Sequence, residues 1–279
     1  MSVEAAYAYC EAVTRAQAKN FAYGIRLLRR PERQALSAVY ALARRIDDIG
    51  DGDLAPERKI EALRALREQI NPIDPLTGDP VLLAVADTAA RYALPMGAFA
   101  EIIDGCEMDV VGTSYETIED LVVYCRRVAG SVGRLSLAVF GSAQPERAVP
   151  LADSLGVALQ LTNIVRDVVE DRGLGRVYLP GKDAESVGCP KDLSGPAPVV
   201  AKLVALECRR ADEWFREGLQ LLPLLDGRAR ACVSAMAGIY RRLLVRIERD
   251  PEVVTRGRVS LPNWEKGLVA ARSLAGVGS

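Results

Sequence analysis

Apolar residues recur at helical spacing almost from one end of the chain to the other. A first run covers about 3–18. After Leu27-Leu28-Arg29-Arg30, Pro31 occupies a first-turn position, where its fixed φ and missing N–H cost nothing. Leu36, Val39, Tyr40, Ala43 and Ile46 then follow at three- and four-residue steps until Gly50 and Gly52 stop the helix. The same spacing predicts helices near 56–70, 79–92, 95–111 and 116–141, and a long one over about 147–171. Three more are expected at 197–221, 226–249 and 262–274. No stretch alternates at period two, and no hairpin signal, repeat or low-complexity tract intervenes. The pattern predicts an all-α chain organised as one domain over residues 1–279. Only 172–198 breaks it, with Gly173, Gly175, Pro180, Gly181, Gly188, Pro190, Gly195, Pro196 and Pro198. Irregular segments of this length usually carry function. This one follows the longest helix directly, so a flap over a site is expected.

The end of that long helix carries the chemistry. Gln160, Asn163, Asp167 and Asp171 fall within about 80° of one another on a helical wheel. Much of the remaining circumference is apolar or small: Val157, Ala158, Leu161, Ile164, Val165, Val168 and Val169. A helix apolar nearly all round is buried. Two bare carboxylates one turn apart on such a helix repel each other and lack solvent. A divalent cation held by Asp167, Asp171, the amide oxygen of Asn163 and a substrate phosphate would relieve both problems.

Composition narrows the options. The 279 residues hold 49% hydrophobic but only 5% aromatic side chains, so the core is built from Ala, Leu and Val. A net charge of -1 gives no global attraction to nucleic acid or to an anionic membrane. The chain contains no histidine, which excludes His-based triads and the usual zinc sets and leaves oxygen ligands that suit magnesium. Six cysteines without CxxC spacing read as reduced, buried thiols of a cytoplasmic protein. No signal-peptide pattern and no run of about 20 apolar residues is found.

A second acidic group, Asp47, Asp48 and Asp51, ends the Pro31 helix. Asp47 continues the inward stripe of Leu36, Tyr40 and Ala43 and shares a face with Asp51. Acids near a helix end are commonly just solvated. Facing the Asp167/Asp171 pair, however, they could grip two or three magnesium ions around a diphosphate. Arg44 and Arg45 accompany the first pair, and Arg166, Arg172 and Arg176 the second. These arginines either neutralise surface acids or hold diphosphate oxygens in bidentate forks. Gly130 and Gly133 sit inside a predicted helix, each at a cost of about 1 kcal/mol relative to Ala. Either another helix packs closely there, or a long lipid chain runs alongside. Ala138, Gly141, Gly156 and Ala158 extend the small-residue pattern.

Read together, these motifs resemble the squalene/phytoene synthase family of head-to-head prenyl synthases. Ile46-Asp47-Asp48-Ile49-Gly50-Asp51 resembles its first aspartate motif, and Tyr124-Cys125 through Val128-Ala129-Gly130 to Val132-Gly133 its central signature. Gln160 to Asp167, Glu170-Asp171 and Gly175-Arg176-Val177-Tyr178-Leu179-Pro180 resemble its second motif and the flap after it. Asn20-Phe21, Leu27-Leu28, Tyr240 and Arg258-Val259 add weaker likenesses. The resemblance implies an all-α isoprenoid synthase fold around a central cavity. It implies that Asp47, Asp51, Asn163, Asp167 and Asp171 hold magnesium, and that Arg44, Arg166, Arg176 and Arg258 contact diphosphates. Gln160 would line the same polar seam, while Tyr40, Tyr124 and Tyr240 would orient groups or relay a proton.

Two departures from the family pattern matter, the first for diphosphate contacts near the N-terminus and the second for the branch. Ala18-Lys19-Asn20-Phe21 replaces the family's serine-rich stretch, and Arg126-Arg127 stands where many plant and animal members carry aromatic residues or histidine. The latter resembles the bacterial hopanoid-pathway branch. The expectation is therefore condensation of two farnesyl diphosphates to presqualene diphosphate and pyrophosphate without nicotinamide. Arg126 and Arg127, if they face the site, would retain the second diphosphate. Partner enzymes would complete squalene, with transient membrane-surface contact for handover. A complete squalene, dehydrosqualene or phytoene synthase is the alternative within the family. An all-α magnesium-dependent nucleotide pyrophosphatase or a non-catalytic helical scaffold are the alternatives outside it.

Overall fold

The structure is a computed structural model that describes residues 1–18 and 20–276; Lys19, part of the Ala18–Phe21 stretch singled out above, lies outside the described residues. The helices follow in the order α1 Val3–Gln17, α2 Phe21–Ile25, α3 Arg30–Asp51, α4 Pro56–Ile70, α5 Pro80–Tyr92 and α6 Gly97–Val110. Next come α7 Ile118–Cys125, a π-helical turn Arg126–Gly130, α8 Ser131–Phe140, α9 Pro145–Gly173 and α10 Gly181–Ser186. The chain ends with α11 Ala197–Gly218, a 3-10 turn Leu219–Leu224, α12 Gly227–Arg249, α13 Val253–Arg256 and α14 Asn263–Leu274. No β-strand occurs among the described residues.

Local chemistry sets the helix ends. The Glu32 carboxylate accepts the Arg29 N–H at 3.0 Å and, with Pro31 in the first turn, opens α3. Asp79 caps α5 by accepting from the Val81 and Leu82 N–H groups, and Thr117 and Asp120 cap α7 reciprocally. The single helix expected over 116–141 is thus two helices joined by a π-turn. Wide turns of this kind are frequent at functional sites.

Helix α9 is the axis of the fold and packs against α11, the π-turn, α8 and α12. Its approach to the π-turn and α8 is close. A Cβ on Gly156 would meet the Ala129 carbonyl oxygen at 2.4 Å, and one on Gly133 would meet that of Ala152 at 2.3 Å. Close helix packing is therefore what these glycines permit. Buried apolar side chains form two clusters, one around α9, α11 and α12, the other around α1, α3, α5 and α6. Phe21 and Phe140 pack against both.

Two sequence expectations need correction. Among the described residues one helix, α9, is long and apolar enough by composition to cross a membrane, although 67% of the relevant stretch is buried inside the protein. The segment 172–198 is not wholly irregular either, since α10 interrupts it. Its backbone is tied to the 115–116 segment, with Gly181 N–H and Lys182 N–H donating to the Tyr115 and Glu116 carbonyls at 2.9 and 3.0 Å. All six cysteines are free and buried.

Candidate active site

Between the two clusters lies a cavity of about 840 Å³. Leu36, Val39, Ile102, Val132, Leu155 and Leu221 make part of its apolar wall. Tyr40, Arg44, Asp47, Tyr124, Gln160 and Asn163 also line it, and so do Arg166, Tyr240 and Arg258. Asn20 and Phe21 reach the same space, with the Phe21 ring 5.8 Å from that of Tyr240. Helices from opposite sides of the fold thus deliver most of the residues expected from sequence to one place; Asp51, Asp167, Asp171 and Arg176 are not among those lining the cavity.

The remaining expected residues attach to this polar end. Arg176, from the 172–198 segment, donates Nη1 to Asp51 Oδ1 at 2.7 Å, joining that segment to the first acidic group. Arg166 forks onto Asp167, with Nε to Oδ1 at 2.8 Å. Arg258 Nε approaches the same Oδ1 at 3.1 Å, and Arg44 Nη1 donates to Asp47 Oδ2 at 3.1 Å. Asn163 Nδ2 donates to Gln160 Oε1 at 3.2 Å.

The acids are electrostatically frustrated. Burial pushes Asp47 up to about 6, and the neighbouring Asp51 charge adds to it while Arg44 opposes. About half of the Asp47 side chain (51%) is open, but that surface faces the cavity, and protein surrounds the carboxylate at longer range. Burial and then Asp167 push Asp171 up to about 7, with Arg176 opposing.

Sequence reasoning missed the group between the two motifs. Asp109, on the last turn of α6, lines the cavity and accepts from Tyr124 Oη and Tyr178 Oη, each at 2.8 Å. The Tyr124 and Tyr178 rings stack at 5.1 Å, and Tyr115 stands 5.6 Å from Tyr124. Burial holds Asp109 above the ordinary carboxylate range even though both hydroxyls favour its charged form. Burial also raises Tyr124 and Tyr178, so both act as hydroxyl donors. The signal for Asp109 was present: Ile102, Cys106 and Asp109 recur at three- and four-residue steps. Lys266, buried in α14, also lines the cavity and gave no such periodic signal.

The donor set suits a hard divalent cation. It contains only oxygen, it repels itself, and the Asn163 Oδ1 atom is buried without a hydrogen-bond partner beside Asp167. Among the described residues, no three acidic, cysteine or histidine side chains already converge as a ready-made ligand cluster. Arginines hold Asp47, Asp51 and Asp167 instead.

Other expectations fail. Arg126 and Arg127 do not line the cavity. Arg126 pairs with Asp153 at 3.1 Å and lies over the Trp214 ring, while Arg127 donates to Met108 Sδ. The reason is geometric: the π-turn presents Val128 and Ala129 to the cavity and its two arginines elsewhere. Arg45 forks onto Asp79 at 2.9 and 3.1 Å and is a structural pair. Among the small residues, Gly133 and Gly156 do line the cavity, but Ala138, Gly141 and Ala158 do not.

Residues 14–265 match the squalene/phytoene synthase family. A phytoene synthase from Mycobacterium tuberculosis is 47% identical over 279 residues, covering 98% of this chain and 92% of that protein. A presqualene diphosphate synthase from Sinorhizobium fredii is 34% identical over 250 residues, covering 88% of each. The crystal structure of a dehydrosqualene synthase in complex with ligand superposes with a TM-score of 0.89 at 27% identity, covering 99% of this chain and 97% of that one. The chain belongs to the squalene/phytoene synthase family, and its fold is that of the isoprenoid synthases.

Proposed function

We propose that this protein condenses two C20 prenyl diphosphates head to head and carries the product on to phytoene. The observation behind the reading is that Asp47, Arg44, Arg166 and Arg258 line one largely apolar cavity, with Asp167 paired to Arg166 and Arg258, Arg176 paired to Asp51, and Asp171 in the electrostatic reach of Asp167 and Arg176. The C20 assignment rests on the 47% identity to a phytoene synthase. Arg126 and Arg127 do not line the cavity, so they are not placed to retain a second diphosphate, although the likeness of that pair to the branch that stops early remains. The 34% relative supports a second reading, in which two C15 donors give presqualene diphosphate.

Magnesium, with Asp47, Asp51, Asn163, Asp167 and Asp171 as its ligands, would neutralise the departing diphosphate. Arg44, Arg166, Arg176 and Arg258 bind diphosphate oxygens, exchanging their present carboxylate partners for phosphate. The apolar wall excludes water from the allylic cation, and the double bond of the second donor attacks it. Loss of a proton then closes the cyclopropane ring. Tyr124 and Tyr178, joined through Asp109, stand where a proton or a diphosphate oxygen can be handled. Gln160 and Tyr40 hold the polar seam, and Tyr240 flanks Arg166. Going on to phytoene releases a second diphosphate and a proton but consumes no hydride, so nicotinamide is not required. Both core clusters build the cavity wall, so the chain acts as one catalytic unit. The product is apolar, and transient contact with a membrane surface and a downstream enzyme belong to the same reading.

The test is incubation with C15 and C20 prenyl diphosphates and magnesium, with and without reduced nicotinamide, followed by product identification. Phytoene from C20 donors, unaffected by nicotinamide, is expected. Presqualene diphosphate from C15 donors alone would favour the second reading. Pyrophosphate released from nucleotides but not from prenyl donors would overturn both.

A further inference from the structure

The flap meets the reaction centre at two points, Arg176 on Asp51 and Tyr178 on Asp109. What fixes the flap itself lies outside the cavity. Five residues beyond Tyr178, Asp183 in α10 receives both terminal nitrogens of Arg210 from α11, with Nη2 to Oδ1 at 2.9 Å. Arg210 Nη1 also donates to Glu207 Oε1, one helical turn away, at 2.7 Å. Glu207 is fully buried (0% exposed), and its Oε2 has no hydrogen-bond partner.

Two carboxylates sharing one guanidinium in the interior are a poor way to gain stability. Well-packed apolar side chains of similar volume serve as well or better. A bidentate fork supplies geometry instead, because both oxygens of Asp183 are held in one plane. Helix α10 needs such a hold. Its six residues are far short of the roughly 12 at which an isolated helix becomes even marginal. The two backbone bonds from Gly181 and Lys182 pin its first turn to the 115–116 segment, and the Asp183 fork pins it to α11, which packs along α9.

We propose that Arg210, oriented by Glu207, is the socket that holds the flap through Asp183, and that this hold positions Arg176 and Tyr178 at the reaction centre. The inference rests on the prenyl synthase reading only for its effect on turnover. Asp183, Arg210 and Glu207 touch no reacting atoms; they are positioning residues. A misplacement of about 1 Å in a catalytic arrangement can cost on the order of 10²-fold, so a loosened flap should be visible in kcat.

The test uses the full chain with Arg210→Ala, Arg210→Lys, Asp183→Asn, Arg176→Ala and the Arg210→Ala/Arg176→Ala double variant. Hydrogen exchange of the Gly181 and Lys182 amides, without substrate, reads the anchor directly. It should speed up in Arg210→Ala and Asp183→Asn and be partly restored by Arg210→Lys, which keeps the charge but loses the fork. With prenyl diphosphate, Arg210→Ala should lower kcat by about tenfold with a smaller change in KM. Arg176→Ala should then cost much less in the Arg210→Ala background than in the wild type, because the side chain is already misplaced. A merely structural role would let the two losses multiply independently. Wild-type exchange at the two amides, or independent losses, would overturn the proposal. Should Arg210→Ala fail to fold, Asp183→Asn, which keeps the side-chain volume, carries the same comparisons. If the wild type turns over no prenyl diphosphate, the functional reading falls, and amide exchange still decides the anchor.

Discussion

At Tyr124 the hydroxyl hydrogen-bonds Asp109 at 2.8 Å, and the ring stacks on Tyr178. Tyr124→Phe keeps the ring and its packing, so thermal stability should change little. Turnover should fall by ~10²-fold or more, the usual scale of proton handling. Unchanged turnover would leave Tyr124 a packing residue. The acids make a sharper demand. Asp47→Asn and Asp167→Asn each remove a charge that an arginine pairs with and that the proposed diphosphate clamp needs, without opening the core. Both should abolish turnover with the helical circular dichroism intact, and chelation of magnesium should do so reversibly. Near-wild-type activity in both variants would remove the diphosphate clamp. In the sequence, spacing put Asp47 with Asp51 and Asp167 with Asp171 on shared helix faces, whereas Tyr124 stood out only through the resemblance to the family's central signature. Neither found Asp109 or Tyr178 as partners, because the hydrogen bonds joining α6, α7 and the flap are long-range and have no sequence period.

Helices were the most legible layer. Periodicity placed α4 and α12 to within a residue, whereas the π-turn after Cys125 went unseen because Arg126–Gly130 keeps an apolar pattern compatible with an ordinary helix. Helix α10 was hidden by the glycines and prolines around it. The junction of α10 and α11 carries a pH prediction. Burial, the largest cause, pushes Glu207 from 4.5 up to about 7, with Asp183 adding to the effect and Arg210 opposing it. The folded state therefore holds a proton that the unfolded state has lost. The stabilisation is fully present below pH 4.5 and disappears as pH rises to about 7. Asp47 and Asp171 are raised too and slope in the same direction, so the wild-type curve alone does not isolate Glu207. Glu207→Gln removes only that contribution. Denaturant titrations across this window should show the variant gaining on the wild type by up to ~1.4 kcal/mol per pH unit, then levelling off. Parallel curves would mean that Glu207 is ionised throughout.

The cavity exists only at the scale of the whole molecule, which is why its length was illegible. Its wall draws on α3, α6, α8, α9 and α12, and no single helix shows where the space ends. Helix α12 gives a ruler. Tyr240, beside Arg166, marks the polar end, and Val233 lines the same cavity seven residues earlier. At 1.5 Å per residue that is roughly 10 Å further along α12, and on the proposed reading a prenyl tail runs in that direction from the diphosphate end. Val233→Phe fills apolar space there and touches none of the charged groups. A C20 tail should then lose its place while a C15 tail keeps one. The ratio of kcat/KM for C20 over C15 donors should fall by about tenfold or more, the range expected when a pocket gains or loses a methylene's worth of room. The melting temperature should move little, because Val233, although buried in the cluster around α9, α11 and α12, also lines the cavity into which the larger ring can extend. If the ratio stays fixed while both rates drop, the tail runs elsewhere and Val233 borders a different arm of the cavity. If the wild type already prefers C15 and the variant leaves that preference unchanged, the C20 assignment fails with it.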